Sequence, residues 1–228
     1  MKNTLSQILR INPVFSNLNA GTIDEIVELA IMKEYNTDEV LTFAGDIWPY
    51  LFLIYKGHIS VFKESSEGRG LSIAEFGQGD LFWGPAFFHE EAPNPVTIKS
   101  KQNSIIYLWS RERILPFLLE NGSLTWELSR LMLTRMLNAS DIITGLAFQQ
   151  VSERLANFLI KLPGHNKPGP ITRSLTLDEI ASRIGSTREM VCRFLQSFAN
   201  QGLIKITRTE LEILDWHQLK QMAEKEKP

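Results

Sequence analysis

TLDEIASRIGSTREMVCRFLQSFANQGLIKI, residues 176 to 206, holds two helical periods split by a glycine and followed by an alternating run. Thr176-x-x-Glu179 has the form of a capping box, in which a hydroxyl and a carboxylate satisfy the first free amides of a helix. Ile180, Ala181 and Ile184 then recur at the spacing of a buried face. Gly185 suits the left-handed turn that ends a helix, and Ser186-x-x-Glu189 offers a second capping box. At about 100° per residue, Arg188, Glu189, Cys192, Arg193 and Gln196 share one side of the next helix. Val191, Phe194, Leu195 and Phe198 lie on the other. Gly202 closes it. Leu203 to Ile206, with Leu211 and Ile213 alternating against Glu210 and Glu212, form the hairpin of a wing.

Two helices joined by a tight turn, the second carrying charge on its free face, are the layout of a helix-turn-helix entering the major groove of double-stranded DNA. Arginine presents two parallel donors that match O6 and N7 of guanine, and glutamate accepts from the amino group of cytosine. The bland alternative is a helical hairpin in which Glu189 only caps and Arg188 only pairs with it. Charge distribution helps to separate the two. The chain of 228 residues has a net charge of −2, yet residues 151–228 hold 12 Lys+Arg against 9 Asp+Glu, a net of +3. Residues 1–150 hold 12 against 17, a net of −5. The positive charge lies with the candidate DNA-binding segment, as phosphate contacts require.

Composition bounds the rest. Hydrophobic content of 43% and charged content of 22% are those of a globular protein long enough for two cores. One cysteine, Cys192, excludes an intrachain disulfide and a four-thiolate iron–sulfur cluster. The start, MKNTLSQILRINPVF, lacks the apolar core of a signal peptide, and no run approaches the roughly 18 apolar residues of a membrane span. A cytoplasmic location is the expectation. No Ser/His/Asp layout, metal spacing or phosphate-binding glycine loop points to an enzyme.

Upstream, a helical lead-in from Leu5 to Met32 gives way to short strands. EVLTFAGD, YLFLIYKGHISVFKE, LSIAEFGQGDLF and PVTIKSKQNSIIYLW alternate between turns at Ala44-Gly45-Asp46, Lys56-Gly57, Glu67-Gly68 and Gly77-x-Gly79-Asp80. Such strands build a small barrel or sandwich. After Ser110 the period is helical again, with a break near Asn121-Gly122. Met132, Met136, Ala139, Ile143 and Leu146 follow the 4-3-4-3 spacing of a two-stranded seam. Leu124, Leu128, Leu131 and Ile142 form a second stripe. One stripe covers the β domain and the other pairs with a second copy, giving a homodimer. A boundary falls between Phe148 and Ser152, and PGHNKPGP, residues 163–170, is a surface loop. The chain accordingly divides into residues 1–120, a β-rich domain; 121–149, a long dimerisation helix and hinge; and 150–228, a winged helix-turn-helix.

This order resembles the family of the cAMP receptor protein and the fumarate–nitrate reduction regulator. The resemblance rests on Val40-Leu41-x-x-x-Gly45-Asp46, Leu53-Ile54-x-x-Gly57-x-Ile59-x-Val61, Gly79-Asp80-Leu81-Phe82, Leu146-Ala147-Phe148 and Thr187-Arg188-Glu189-Met190-Val191-Cys192-Arg193. It implies an α+β fold: an N-terminal cyclic-nucleotide-binding-like β-roll (a jelly roll) that senses an effector, a long dimer helix, and a C-terminal winged helix-turn-helix. It further implies a transcription regulator, meeting RNA polymerase if it activates. Arg188, Glu189 and Arg193 would read bases, and Thr176, Ser186, Thr187 and Lys205 would touch the DNA backbone at a TGTGA- or TTGA-like palindrome.

The chain departs from the family at the nucleotide cassette. Pro85 stands where cAMP-binding members carry a glutamate, and Pro95 where they carry an arginine. Ala139-Ser140 replaces the Thr-Ser pair that holds adenine. A cyclic phosphate loses its charge-assisted partner, so cAMP is not the expected effector. Phe82, Trp83, Pro85, Phe87 and Phe88, with Met136 and Ser140 of the long helix, are the candidate effector pocket, suited to an apolar or planar ligand. By the same resemblance haem is a candidate cofactor for sensing CO or NO, with His89 as axial ligand and His58 in the preceding strand region; the alternative is rings that only fill the barrel of a constitutively active or otherwise gated protein. The family's iron–sulfur branch uses an N-terminal cysteine cluster that this chain lacks. Cys192 departs from the usual Gly or Ser and is expected to be a passive thiol at a buried edge.

Overall fold

The computed structural model describes residues 2–65, 70–162, 169, 171–172, 175–207 and 209–223. The expected turn at Glu67-Gly68 lies outside them, as does the loop over 163–170 apart from Gly169. The chain forms two compact units. One comprises Met1–Lys63 and Ile73–Asn138, the other Glu64–Ser72 and Ala139–Pro228. The long helix is therefore not a body of its own, since the division falls inside it.

The N-terminal unit opens with α1 (Lys2–Ile11) and α2 (Ala20–Leu29). The expected helical lead-in thus breaks once and stops early. The Asn12 side chain accepts from the Val14 amide at 3.0 Å, which turns the chain out of α1. Asn19 caps α2 by accepting from Thr22 at 2.9 Å. Ile31 and Met32 belong not to a helix but to β1 (Ile31–Tyr35), a mostly exposed strand without the alternation that would have marked it.

The remaining strands match the alternating stretches to within one residue at their ends: β2 (Val40–Thr42), β3 (Tyr50–Lys56), β4 (Ile59–Glu64), β5 (Gly70–Phe76), β6 (Leu81–Trp83), β7 (Thr97–Ser100) and β8 (Ser104–Ser110). They make two four-stranded sheets, ordered β1-β8-β3-β6 and β2-β7-β4-β5. The fully buried run Leu51 to Ile54 explains the layering. Alternation sends Leu51 and Leu53 into the cluster that includes Leu5, Leu9, Phe15 and Ile26. Phe52 and Ile54 go into the other, with Ile59, Val61, Ile98 and Ile106. A strand buried on both faces is apolar throughout. Trp109 is also fully buried, and its indole N–H donates to the Ile26 carbonyl at 2.8 Å. Gly57, at φ +110°, makes the β3–β4 turn where any Cβ would collide with the Ser104 side chain.

Next come α3 (Arg111–Glu120) and α4 (Gly122–Phe148), separated at Asn121 as expected. Leu124 and Leu128 of α4 are buried in the core that holds Leu5 and Trp109, with Leu131 packed against it. The second unit contains α5 (Val151–Lys161), β9 (Ile171–Thr172), α6 (Leu177–Ile184), α7 (Arg188–Asn200), β10 (Ile204–Ile206), β11 (Glu210–Ile213) and α8 (Trp216–Ala223). Its three-stranded sheet runs β10-β11-β9. Its core gathers Leu155, Leu159, Ile180, Ile184, Val191, Leu195, Phe198 and Leu219.

Candidate DNA-reading face and sensor pocket

The capping box at α6 is formed. Thr176 Oγ1 accepts from the Glu179 amide at 3.2 Å, and Glu179 Oε2 accepts from the Thr176 amide at 2.9 Å. Gly185 ends the helix at φ +63°, and a Cβ there would strike Leu146 Cδ2. The Ser186 amide donates to the Ala181 carbonyl at 2.9 Å, so the turn consumes Ser186. The expected second capping box is corrected by one residue. Thr187, not Ser186, caps α7, accepting from Met190 at 3.3 Å. Glu189 is thereby relieved of the capping role and stands exposed on the face it shares with Arg188, Cys192, Arg193 and Gln196. Val191, Leu195 and Phe198 are buried opposite, and Phe194 is half-buried.

Neither arginine of that face floats free. Arg188 pairs with Asp178 of α6 at 3.4 Å, rather than with its neighbour Glu189. Arg193 donates to Met190 Sδ at 2.8 Å and lies 5.4 Å from the Phe194 ring. Cys192 is exposed, which corrects the expectation of a buried edge. Lys205 is exposed on β10 opposite Glu212 of β11, in the predicted wing. Thr176 is engaged in its own cap, and Ser186 is half-buried. Arg154, which no sequence motif marks, donates to the carbonyls of Ile184, Gln149 and Gly185 at 2.8, 2.5 and 3.2 Å.

The expected effector pocket is only partly assembled. Gly84 lies against the Trp48 carbonyl, and Pro85 opens a short 3-10 helix, Pro85–Phe87. Phe87 is buried in the core beside the helices. Phe82 packs instead between Phe52 and Phe76, at 5.1 and 4.8 Å. Phe88 is exposed at the rim and meets Trp83 edge-on at 5.9 Å. Met136 is 62% exposed and does not close the pocket within its unit, and Ser140, which belongs to the other unit, is exposed as well. One residue before Met136, Arg135 turns the other way. Its guanidinium lies 4.5 Å from the Phe76 and Trp83 rings and 5.5 Å from Phe82, and Nη2 donates to the Leu81 carbonyl. Burial pushes its pKa down to about 10, with Asp80 acting against that shift.

The residues present do not fit a haem. His58 Nε2 is held by Glu75 at 2.8 Å, and His89 is exposed, outside any enclosed apolar pocket. Among the described residues no three His, Cys, Asp or Glu gather as metal ligands, and no helix is long and apolar enough to cross a membrane.

On α4 the five residues of the expected stripe, Met132, Met136, Ala139, Ile143 and Leu146, are exposed within the chain. Trp126, Leu133 and Leu137 are exposed as well. Leu146 also lies close to Gly185.

A two-sheet sensor-type roll, a long helix and a winged helix-turn-helix define a DNA-binding transcription regulator, not an enzyme. Residues 32–121 match the cyclic nucleotide-binding domain, and residues 153–222 match the Crp-like helix-turn-helix domain. The cAMP-activated global transcriptional regulator Vfr of Pseudomonas aeruginosa is 25% identical over 191 residues, 81% of this chain and 89% of that protein. Its counterpart CRP of Pasteurella multocida is 26% identical over 187 residues, 80% and 90% of the two chains. Among solved structures, a transcriptional regulator of the Crp/Fnr family from Eubacterium rectale superposes with a TM-score of 0.73 at 22% identity, covering 92% of this chain and 97% of that one. The c-di-GMP-responsive regulator CLP of Xanthomonas campestris gives 0.74 at 22% identity, with coverage of 86% and 99%. The chain belongs to the CRP/FNR family of transcription regulators.

Proposed function

We propose that the protein is a homodimeric, sequence-specific regulator that reads a TGTGA- or TTGA-like palindrome under the control of an effector other than cAMP. The carrying observation is the division of α7, with Arg188, Glu189 and Arg193 exposed on one side and Val191, Leu195 and Phe198 buried on the other. Arg188 and Arg193 read guanine and Glu189 the opposing cytosine. Thr187 and Lys205 contact phosphate, and Thr176 and Ser186 add hydroxyl contacts, since their backbone amides are taken by Glu179 and by the Ala181 carbonyl. The exposed stripe on α4 supports pairing of two copies, and a two-fold dimer supports a palindrome. An activating role brings RNA polymerase as a further partner.

The effector reading rests on the loop from Gly84 to Val96. It contains no lysine or arginine to pair with a cyclic phosphate, and of its two carboxylates Glu90 is engaged by Arg111 at 2.6 Å. Gel-shift titrations with Arg188→Ala and Arg193→Ala test DNA reading. Each should weaken operator binding about 10- to 100-fold, as loss of a bidentate base contact does; unchanged selectivity in both refutes it. Saturable micromolar cAMP binding by calorimetry would contradict the effector assignment.

A further inference from the structure

Beside the end of α1 and the β5–β6 turn, α4 borders a cleft of about 570 Å³ within the N-terminal unit. That size is in the range of small-molecule sites. Pro13, Val14, Leu81, Leu131 and Leu133 give it apolar walls. Its charged groups are mostly satisfied. Glu127 and Arg130 pair with each other at 3.2 Å, and Asp80 Oδ2 accepts from the Gly77 amide at 2.8 Å. Arg135 is the exception. It lines the cleft, and its Nη1 is buried with no hydrogen-bond partner among the described residues while Nη2 is engaged by Leu81. A guanidinium held against aromatic faces with an unused donor is a poor resting state for a buried cation.

We propose that this cleft binds a small organic acid, a carboxylate on an apolar body, with Arg135 as its anion anchor. A carboxylate supplies the acceptor that Nη1 lacks, and the apolar body covers Pro13, Val14 and Leu131. A bare inorganic anion satisfies only the first of these. Ligand capture draws the guanidinium away from Phe76 and Trp83, and because Arg135 is part of α4, it favours one setting of that helix. This rests on reading the N-terminal unit as the effector domain, but it is tested without DNA, so failure of the operator-reading assignment leaves it standing.

The test is calorimetry on the full chain with benzoate, its neutral relative benzyl alcohol, and inorganic phosphate. Benzoate is expected to saturate, with benzyl alcohol and phosphate each at least about tenfold weaker, the range of a charge-assisted hydrogen bond. Arg135→Gln should weaken benzoate about tenfold or more, while Lys99→Gln, at a residue that does not line the cleft, should leave it within about twofold. If Arg135→Gln does not fold, Arg135→Lys serves, since it keeps the charge and loses the planar fork. Tryptophan emission should change on benzoate addition, because Trp83 lies 4.5 Å from the guanidinium. Absence of saturable benzoate binding below about 10 mM, equal binding of phosphate, or equal benzoate affinity in the wild type and the folded Arg135 variant overturns the proposal.

Discussion

Arg154 donates through Nε to the carbonyl of Ile184 at 2.8 Å, fastening the first helix of the DNA-binding unit to the last residue of α6. The same guanidinium reaches Gln149 O at 2.5 Å, just past α4, and Gly185 O at 3.2 Å. These carbonyls have no helical partner of their own, and a cation among them complements the negative ends of two helix dipoles. Burial lowers the Arg154 pKa, opposed by Glu153. Arg154→Met keeps the apolar stem and leaves the carbonyls uncapped. The expected cost is about 1–3 kcal/mol, toward the lower end because the group is only half-buried. Urea unfolding reads it as a lowered midpoint at unchanged slope.

Gly185 sets the angle between α6 and α7 by two separable constraints. Its φ of +63° is left-handed, and a Cβ would strike Leu146. Gly185→Ala is therefore expected to destabilise by roughly 1–2 kcal/mol from backbone conformation alone, with more from the collision. Adding Leu146→Ala should recover only the collision part. Thermal unfolding of the single and double variants separates the two; full recovery in the double variant would mean that the left-handed backbone costs nothing.

The legible parts of this protein were those written in local periods. Thr176, Glu179 and Gly185 declare a helix and its end within ten residues, and the faces of α7 follow from 3.6-residue spacing. The strands around Leu51 to Ile54 were legible for the same reason, with period two. Features made by distant residues were not. β9 is two residues long and exists through pairing with β11. Arg135, in a stretch reading LTRML, looks like an ordinary surface charge until Phe76, Phe82 and Trp83 converge on it from two strands. Met136 and Ser140 are exposed within the chain while Arg135 turns inward, because neighbouring helix positions differ by about 100°. The sequence points to Ser186 as the cap of α7, and the next residue, Thr187, takes that place. The Ser186 amide's bond to Ala181, part of the turn itself, decided between them.

Glu112, in the first turn of α3, has its carboxyl pKa held below the ordinary 4.5, chiefly by its own backbone amide, then by the Ser110 hydroxyl and Arg111. A carboxylate with a depressed folded value contributes stability that is fully present above 4.5 and disappears as pH falls through that lower value. The stability difference between wild type and Glu112→Gln should therefore be constant near neutrality and shrink on acidification below 4.5. Paired unfolding curves across that window provide the check. A difference that grew as pH fell would reverse the sign.

Leu133 and Ile143 are exposed on α4 at 52% and 65%, in an apolar stripe with Trp126, Met136 and Leu137. Spacings of three, four and seven along one helix are those of a two-stranded seam. A glutamate at either position removes little from either folded core, because neither side chain is buried within the chain, so monomer stability should change by about 0.5 kcal/mol or less. At the seam, two like charges face each other without water. Sedimentation should show the wild type as a dimer and Leu133→Glu or Ile143→Glu shifted to monomer. Affinity for a palindrome should fall at least about tenfold, since one half-site then binds without its tethered neighbour. Variants that still sediment as dimers with undiminished palindrome affinity would place the partner contact on a different face of the molecule.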